Sequence, residues 1–140
     1  MMKVLAALSV VMLAGCSAMS PKSEIVTETF MVPSLDPGIT LHVRNKHLPG
    51  DRFAPERIVL FVHGATFPSE TMFDIDLPGG SWMEYAASRG FDAYIVDIRG
   101  YGESDGVMPV AFDDQEARDG FDALEWLAAQ EAYEALRVTA

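Results

Sequence analysis

Between residues 25 and 43 apolar and polar positions alternate. Val26, Phe30 and Val32 fall on one face of an extended segment, and Thr27, Thr29 and Met31 on the other. After the turn residues Pro33-Ser34-Leu35-Asp36-Pro37-Gly38, Ile39, Leu41 and Val43 alternate with Thr40, His42 and Arg44. Two period-two runs around a turn predict an antiparallel hairpin. Residues 48–57 are a polar loop, and then the pattern changes. Ile58-Val59-Leu60-Phe61-Val62 is a continuous, β-branched run, as expected of a strand buried on both faces. A second such run covers 91–98, centred on Ala93-Tyr94-Ile95-Val96. Between the two, Ser81-Trp82-Met83-Glu84 has the S-x-x-E spacing of a capping box. It predicts a short helix over 81–89, with Trp82, Tyr85 and Ala86 facing inward and Gly90 at the C′ position. A longer helix is predicted from about Asp113-Asp114. Asp113 and Glu116 there have box spacing, and Phe121, Leu124, Leu127 and Ala128 recur at helical intervals. Its acidic first turn suits the helix dipole. Arg137-Val138-Thr139 predicts the start of a further strand. Hairpin, strand, helix, strand, helix, strand is the order of an α/β fold, a parallel sheet with flanking helices.

The first residues follow different rules. Lys3 supplies a positive start, and residues 4–13 are apolar except for Ser9. Such a run is too short for a bilayer span, which needs about 20 residues, and predicts a secretory signal. Leu13-Ala14-Gly15-Cys16 resembles the lipobox of bacterial lipoproteins. The resemblance implies a signal peptide over 1–15, with cleavage before Cys16 and acylation of its thiol and new amine. Cys16 is the only cysteine of the chain, so no intrachain disulfide can form. Membrane lipid, reached through acylated Cys16, is the implied partner, since two acyl chains hold a protein stably where one does not. Residues 17–23 read as a tether to a domain over 24–140. Ser17 after the cysteine favours the outer membrane if the source is Gram-negative.

Composition narrows the partners further. The 140 residues are 49% hydrophobic and carry a formal net charge of −11, against a nucleic-acid partner. His42, His47 and His63 lack metal-ligand spacing, and His42 and His47 read as solvated surface. Asp74 and Asp76 flank Ile75 without the remainder of a calcium loop. Gly79-Gly80 lacks the lysine of a phosphate loop. No metal and no cofactor are implied. Phe67, Met72 and Phe73 are candidates either for an apolar substrate pocket or for ordinary packing.

Two further stretches carry the chemistry. Val59-Leu60-Phe61-Val62-His63-Gly64-Ala65 ends the first buried strand, and Asp97-Ile98-Arg99-Gly100-Tyr101-Gly102-Glu103-Ser104 ends the second. In this order, with a helix between, they resemble the N-terminal part of the α/β-hydrolase fold family, over about residues 25–140. The resemblance implies that the loop after His63-Gly64 lends a backbone N–H to an oxyanion hole. Ala65 is the best match, with Thr66 the other candidate. It also implies structural roles for His63, Gly64, Asp97, Arg99, Gly100, Gly102 and Ser104.

Gly102-Glu103-Ser104-Asp105-Gly106 itself matches G-x-S-x-G, the nucleophile elbow of serine hydrolases. An elbow requires a strand ending just before the serine and a helix starting just after it. Here the strand ends near Asp97 and the next helix starts near Asp113, so Ser104 reads as a turn residue. The family's nucleophile follows the next strand, and its acid and histidine come later. The expected reading is therefore a partial α/β-hydrolase fold, truncated before the nucleophile elbow. It would belong to a serine hydrolase acting on small-molecule esters or related acyl bonds, inactive as this chain. Two alternatives stay open: a non-enzymatic half-fold lipoprotein, and a relative of epoxide hydrolases or dehalogenases with an Asp nucleophile.

Overall fold

The computed structural model describes residues 24–50, 55–64, 66–108, 110 and 113–138. Strands β1 (Val26–Pro33) and β2 (Thr40–His47) form the hairpin. A single 3-10 turn, Pro55–Arg57, leads into β3 (Ile58–Val62). Two short helices follow, α1 (Ser69–Phe73) and α2 (Trp82–Ser88), then β4 (Asp92–Asp97) and the long α3 (Asp114–Val138). The sheet order is β1-β2-β4-β3. β2 is antiparallel to both β1 and β4, whereas β3 and β4 are parallel, joined by the α1–α2 crossover.

The predicted α/β architecture is present, and β4 explains it. All six of its residues are buried. Tyr94 and Val96 point to one face of the sheet, into a core with Val32, Leu41, Val43, Ala123 and Leu127, which α3 covers. Ala93 and Ile95 point to the other, against Met83 of α2. A strand with helices on both sides cannot alternate in polarity, which is why its sequence reads as a continuous apolar run.

Several local expectations need correction. β3 is only half-buried, and Val62 is 59% exposed, because among the described residues it pairs with β4 alone. Ser81 does cap α2: its hydroxyl accepts from the Glu84 N–H at 3.0 Å, and the Glu84 carboxylate accepts from the Ser81 N–H at 3.3 Å. Yet the inward face of α2 is Met83 and Ala87, with Trp82 and Tyr85 exposed. Among the side chains of α3 described up to Gln130, the buried ones are Asp119, Asp122, Ala123 and Leu127, while Phe121 and Leu124 are more than half exposed and Ala128 also faces out. The predicted strand at Arg137-Val138 is the last turn of α3. The segment before it, Glu131-Ala-Tyr-Glu-Ala-Leu-Arg, is rich in strong helix formers and holds no glycine or proline. Thr139 lies outside the described residues.

Candidate active-site frame

The parallel pair β3 and β4 ends in two turns that meet. His63 follows β3 and is 8% exposed. Its Nδ1 lies 2.6 Å from the carbonyl oxygen of Gly64, and its Nε2 lies 3.3 Å from the backbone N–H of Ile98. A carbonyl cannot donate and an N–H cannot accept, so the proton sits on Nδ1 and Nε2 accepts. The imidazole thus ties the end of β3 to the end of β4, and its ring lies 4.9 Å from that of Tyr101. A Cβ on Gly64 would meet nothing within 4 Å, and its φ is not in the left-handed region. No packing among the described residues therefore demands a glycine there. Ala65 lies outside the described residues, as does Cys16.

Asp97 closes β4 and is 2% exposed. Its Oδ1 accepts from the N–H of Ser69, the first residue of α1, at 2.7 Å. Its Oδ2 stands 3.3 Å from Nδ1 of His42 on β2. The Ser69 hydroxyl adds a bond to the carbonyl oxygen of Val96. One carboxylate thus positions the segment that leaves the His63-Gly64 turn. His42 and His47 are buried, at 3% and 6% exposure, not solvated as expected. Period-two alternation put His42 on the polar face of β2, but α2 packs on that strand and the His42 ring lies against the buried Asp97 carboxylate.

The loop over 98–106 is held at every turn. Gly102 has φ +52°, and a Cβ there would lie 2.0 Å from Oδ2 of Asp97. Gly100 has φ +75°, and its Cβ would lie 2.6 Å from the Met108 nitrogen. Ser104 donates its hydroxyl proton to the Asp97 carbonyl at 2.5 Å and accepts from the His42 N–H at 2.7 Å. Asp105 accepts from the Thr40 N–H at 3.1 Å, and its own N–H donates to the Thr40 carbonyl at 2.9 Å. The Ser104 hydroxyl is thereby engaged with backbone on both sides, in a loop rather than at a strand-to-helix bend.

Arg99 carries the loop to α3. Its guanidinium makes a two-pronged contact to Asp119, with Nη2 at 2.6 Å from Oδ1, and reaches Asp36 at 2.8 Å. Hydrogen bonding to Asp119 raises the pKa of Arg99 well above its ordinary value, against the opposing effect of burial. Asp119 and Asp122 were not singled out from the sequence. They lie beyond the acidic first turn of α3, three apart on its inner face. Asp122 accepts from the Ser34 hydroxyl at 2.6 Å and the Leu35 N–H at 2.8 Å, fixing the hairpin turn.

A second polar cluster sits beneath α1 and α2. Asp74 accepts from Arg44 (3.0 Å), Lys46 (2.7 Å) and the Ser81 hydroxyl (2.8 Å). Burial opposes the charge of Arg44, but its hydrogen bonds to Asp74 and Glu70 outweigh that and raise its pKa. Phe73 stacks on Phe61 at 5.1 Å and is core, whereas Phe67 and Met72 are exposed. No group of three or more potential metal ligands occurs among the described residues. Within them no helix is long and apolar enough to cross a membrane.

A mixed sheet with a β3–helix–β4 crossover, closed by these two tied turns, defines an α/β-hydrolase-type domain. Residues 19–139 match the sequence model of the X-Pro dipeptidyl-peptidase (S15) family, and the chain belongs to that family. Among solved structures it is similar to a selenomethionine-labelled α-amino acid ester hydrolase, with TM-score 0.54 and 18% identity. That similarity covers 85% of this chain and 22% of the other. It is also similar to a hypothetical protein from Pseudomonas aeruginosa, with TM-score 0.50 and 27% identity over 78% of this chain and 32% of the other. The chain therefore spans between about a fifth and a third of these proteins. No curated protein matches it.

Proposed function

We propose that the chain is the N-terminal section of an exported, lipid-anchored serine hydrolase that cleaves ester or related acyl bonds, and that it is inactive alone. The observation that carries this reading is the joining of the two turns by His63, within a family match over 19–139. The family's name and that of the ester hydrolase narrow the acyl group to that of an amino acid or short peptide. In this reading the backbone N–H of Ala65 stabilises the oxyanion formed when the carbonyl is attacked, a contribution of about 3–4 kcal/mol per donor. Gly64 keeps the approach to that N–H free of a side chain. Asp97 and His63 hold the loop from both ends. The nucleophile, base and acid belong to the larger part of the family domain, which this chain does not span. Ser104 is not the nucleophile, because its hydroxyl serves the loop. Acylated Cys16 would hold the protein on the membrane.

The test is an assay of the purified chain against an aminoacyl nitrophenyl ester and an X-Pro dipeptidyl nitroanilide. No turnover above buffer is expected. Turnover that disappears on Ser104→Ala would overturn both the inactivity and the role given to Ser104. The anchor is tested separately, by the mass of the N-terminal peptide from expressing bacteria: acyl chains on Cys16 are expected, and their absence would remove that part of the reading.

A further inference from the structure

The outward side of α2 is unusual for a short capped helix. Trp82 and Tyr85, three residues apart, are 65% and 55% exposed. Their rings meet edge to face at 6.5 Å, and the guanidinium of Arg89 lies over Tyr85 at 4.3 Å. Met72, Ile75 and Leu77 from the preceding helix and loop are also exposed, and the five side chains line one open groove of about 570 Å³. Large apolar side chains clustered in this way mark a contact surface. Trp and Tyr beside an arginine are the composition of a membrane interface, where each ring has one apolar and one wet end.

The way the chain enters the fold selects the occupant. Thr27, second residue of β1, lies directly across from Lys46. The Lys46 ammonium is 3.5 Å from the carboxylate of Glu84, in the first turn of α2. The domain thus begins one strand spacing and one ion pair away from the aromatic helix. Eight Cα steps separate Cys16 from Glu24, a reach of at most about 28 Å. A protein anchored at Cys16 would keep the start of the domain within that distance of the bilayer, and the groove within reach of it.

We infer that the groove lined by Met72, Ile75, Leu77, Trp82 and Tyr85 docks on a phospholipid surface, seating Trp82 at the headgroup–acyl boundary. The inference rests on the Cys16 anchor of the proposed function. The chain carries a formal net charge of −11, so the matching surface is zwitterionic rather than anionic.

The test uses the full chain with Trp126→Phe, which leaves Trp82 as its sole tryptophan, in phosphatidylcholine vesicles with brominated acyl chains. Trp82 emission should be roughly halved relative to ordinary vesicles, as for a ring buried in the interface. A Trp82→Phe chain keeps only Trp126, which packs on Phe30 across the sheet, and should be unaffected. The pair Ile75→Ser and Leu77→Ser should restore Trp82 emission. Equal Trp82 emission in both vesicle types, with the chain shown bound by flotation, would overturn the inference. So would a lipid-free dimer that buries Trp82 and persists with vesicles, since the groove would then serve a second copy. The mass of Cys16 separates the two readings. If Cys16 carries no acyl chain, the chain added to the same vesicles tests the surface by itself: quenching of Trp82 supports it and no quenching overturns it.

Discussion

Gly102 and Ser104 show how closely the GESDG loop is fitted to Asp97. At φ +52°, with a built Cβ 2.0 Å from the Asp97 carboxylate, Gly102→Ala meets both left-handed strain of about 1–2 kcal/mol and a clash with a buried, hydrogen-bonded acid. We expect it to lower stability by about 3 kcal/mol in denaturant titration, the range of a strained core change. Ser104→Ala deletes one donor and one acceptor, leaves the buried Asp97 carbonyl and the His42 N–H without that partner, and should cost about 2 kcal/mol. Arg99 depends on geometry as well as charge. Its contact to Asp119 is two-pronged, which a lysine cannot reproduce, so Arg99→Lys should lose about 1–3 kcal/mol despite keeping the charge. Because the pKa of Arg99 is raised on folding, its contribution is fully present below the ordinary arginine value. It is lost only as pH rises through the still higher folded value. The cost of Arg99→Lys, measured at neutral pH and at about pH 9, should therefore be the same as far as the arginine is concerned.

At the scale of elements, the crossover between β3 and β4 hangs on side chains that sequence patterns rank as ordinary. Ser81 makes the capping box of α2 and also donates to Asp74. Its replacement by alanine should exceed the usual cap cost of about 1 kcal/mol and approach about 2 kcal/mol, whereas Glu84→Ala, which leaves Asp74 served, should stay near the cap value. Chemical denaturation of the two variants separates these expectations. Asp74→Ala leaves Lys46 and Arg44 facing α1 and α2 without their shared carboxylate and should destabilise by about 3 kcal/mol. The capping box, the hairpin, both apolar strands and the two hydrolase-type turns were legible in the sequence, because each is local and obeys a period or a spacing. The inner faces of the helices were not. Apolar periodicity chose Trp82 and Tyr85 over Met83 and Ala87, and Phe121 and Leu124 over Asp119 and Ala123. The inner face of α3 is partly polar, and its acids Asp119 and Asp122 are bound by Arg99, Ser34 and Leu35, which lie 20 to 88 positions away. A pattern within one helix carries no record of such partners. The same holds for His42, which is buried beside Asp97 of β4, 55 positions away.

For the whole molecule, the sheet has a balance problem at β3. β4 is covered on both faces and paired on both edges, but β3 pairs only with β4 among the described residues. All five of its residues are at least partly accessible, and Val62 is 59% exposed. A short apolar strand with a free edge is a template for another chain. Its outward N–H and C=O groups have no strand partner among the described residues and stand open to one. We therefore expect the isolated chain to self-associate at micromolar concentration, with light scattering that rises with concentration. Val62→Lys places a charge at the exposed end of that edge, where it costs little in the monomer and opposes stacking of identical chains, so scattering should fall while far-UV circular dichroism stays unchanged. The groove at α2 includes no residue of β3, so Trp82→Ser should leave the scattering as it was. If the unmodified chain instead sediments as a monomer and unfolds cooperatively, the edge is already closed within the chain itself. The reading of β3 as a strand awaiting a neighbour would then be wrong.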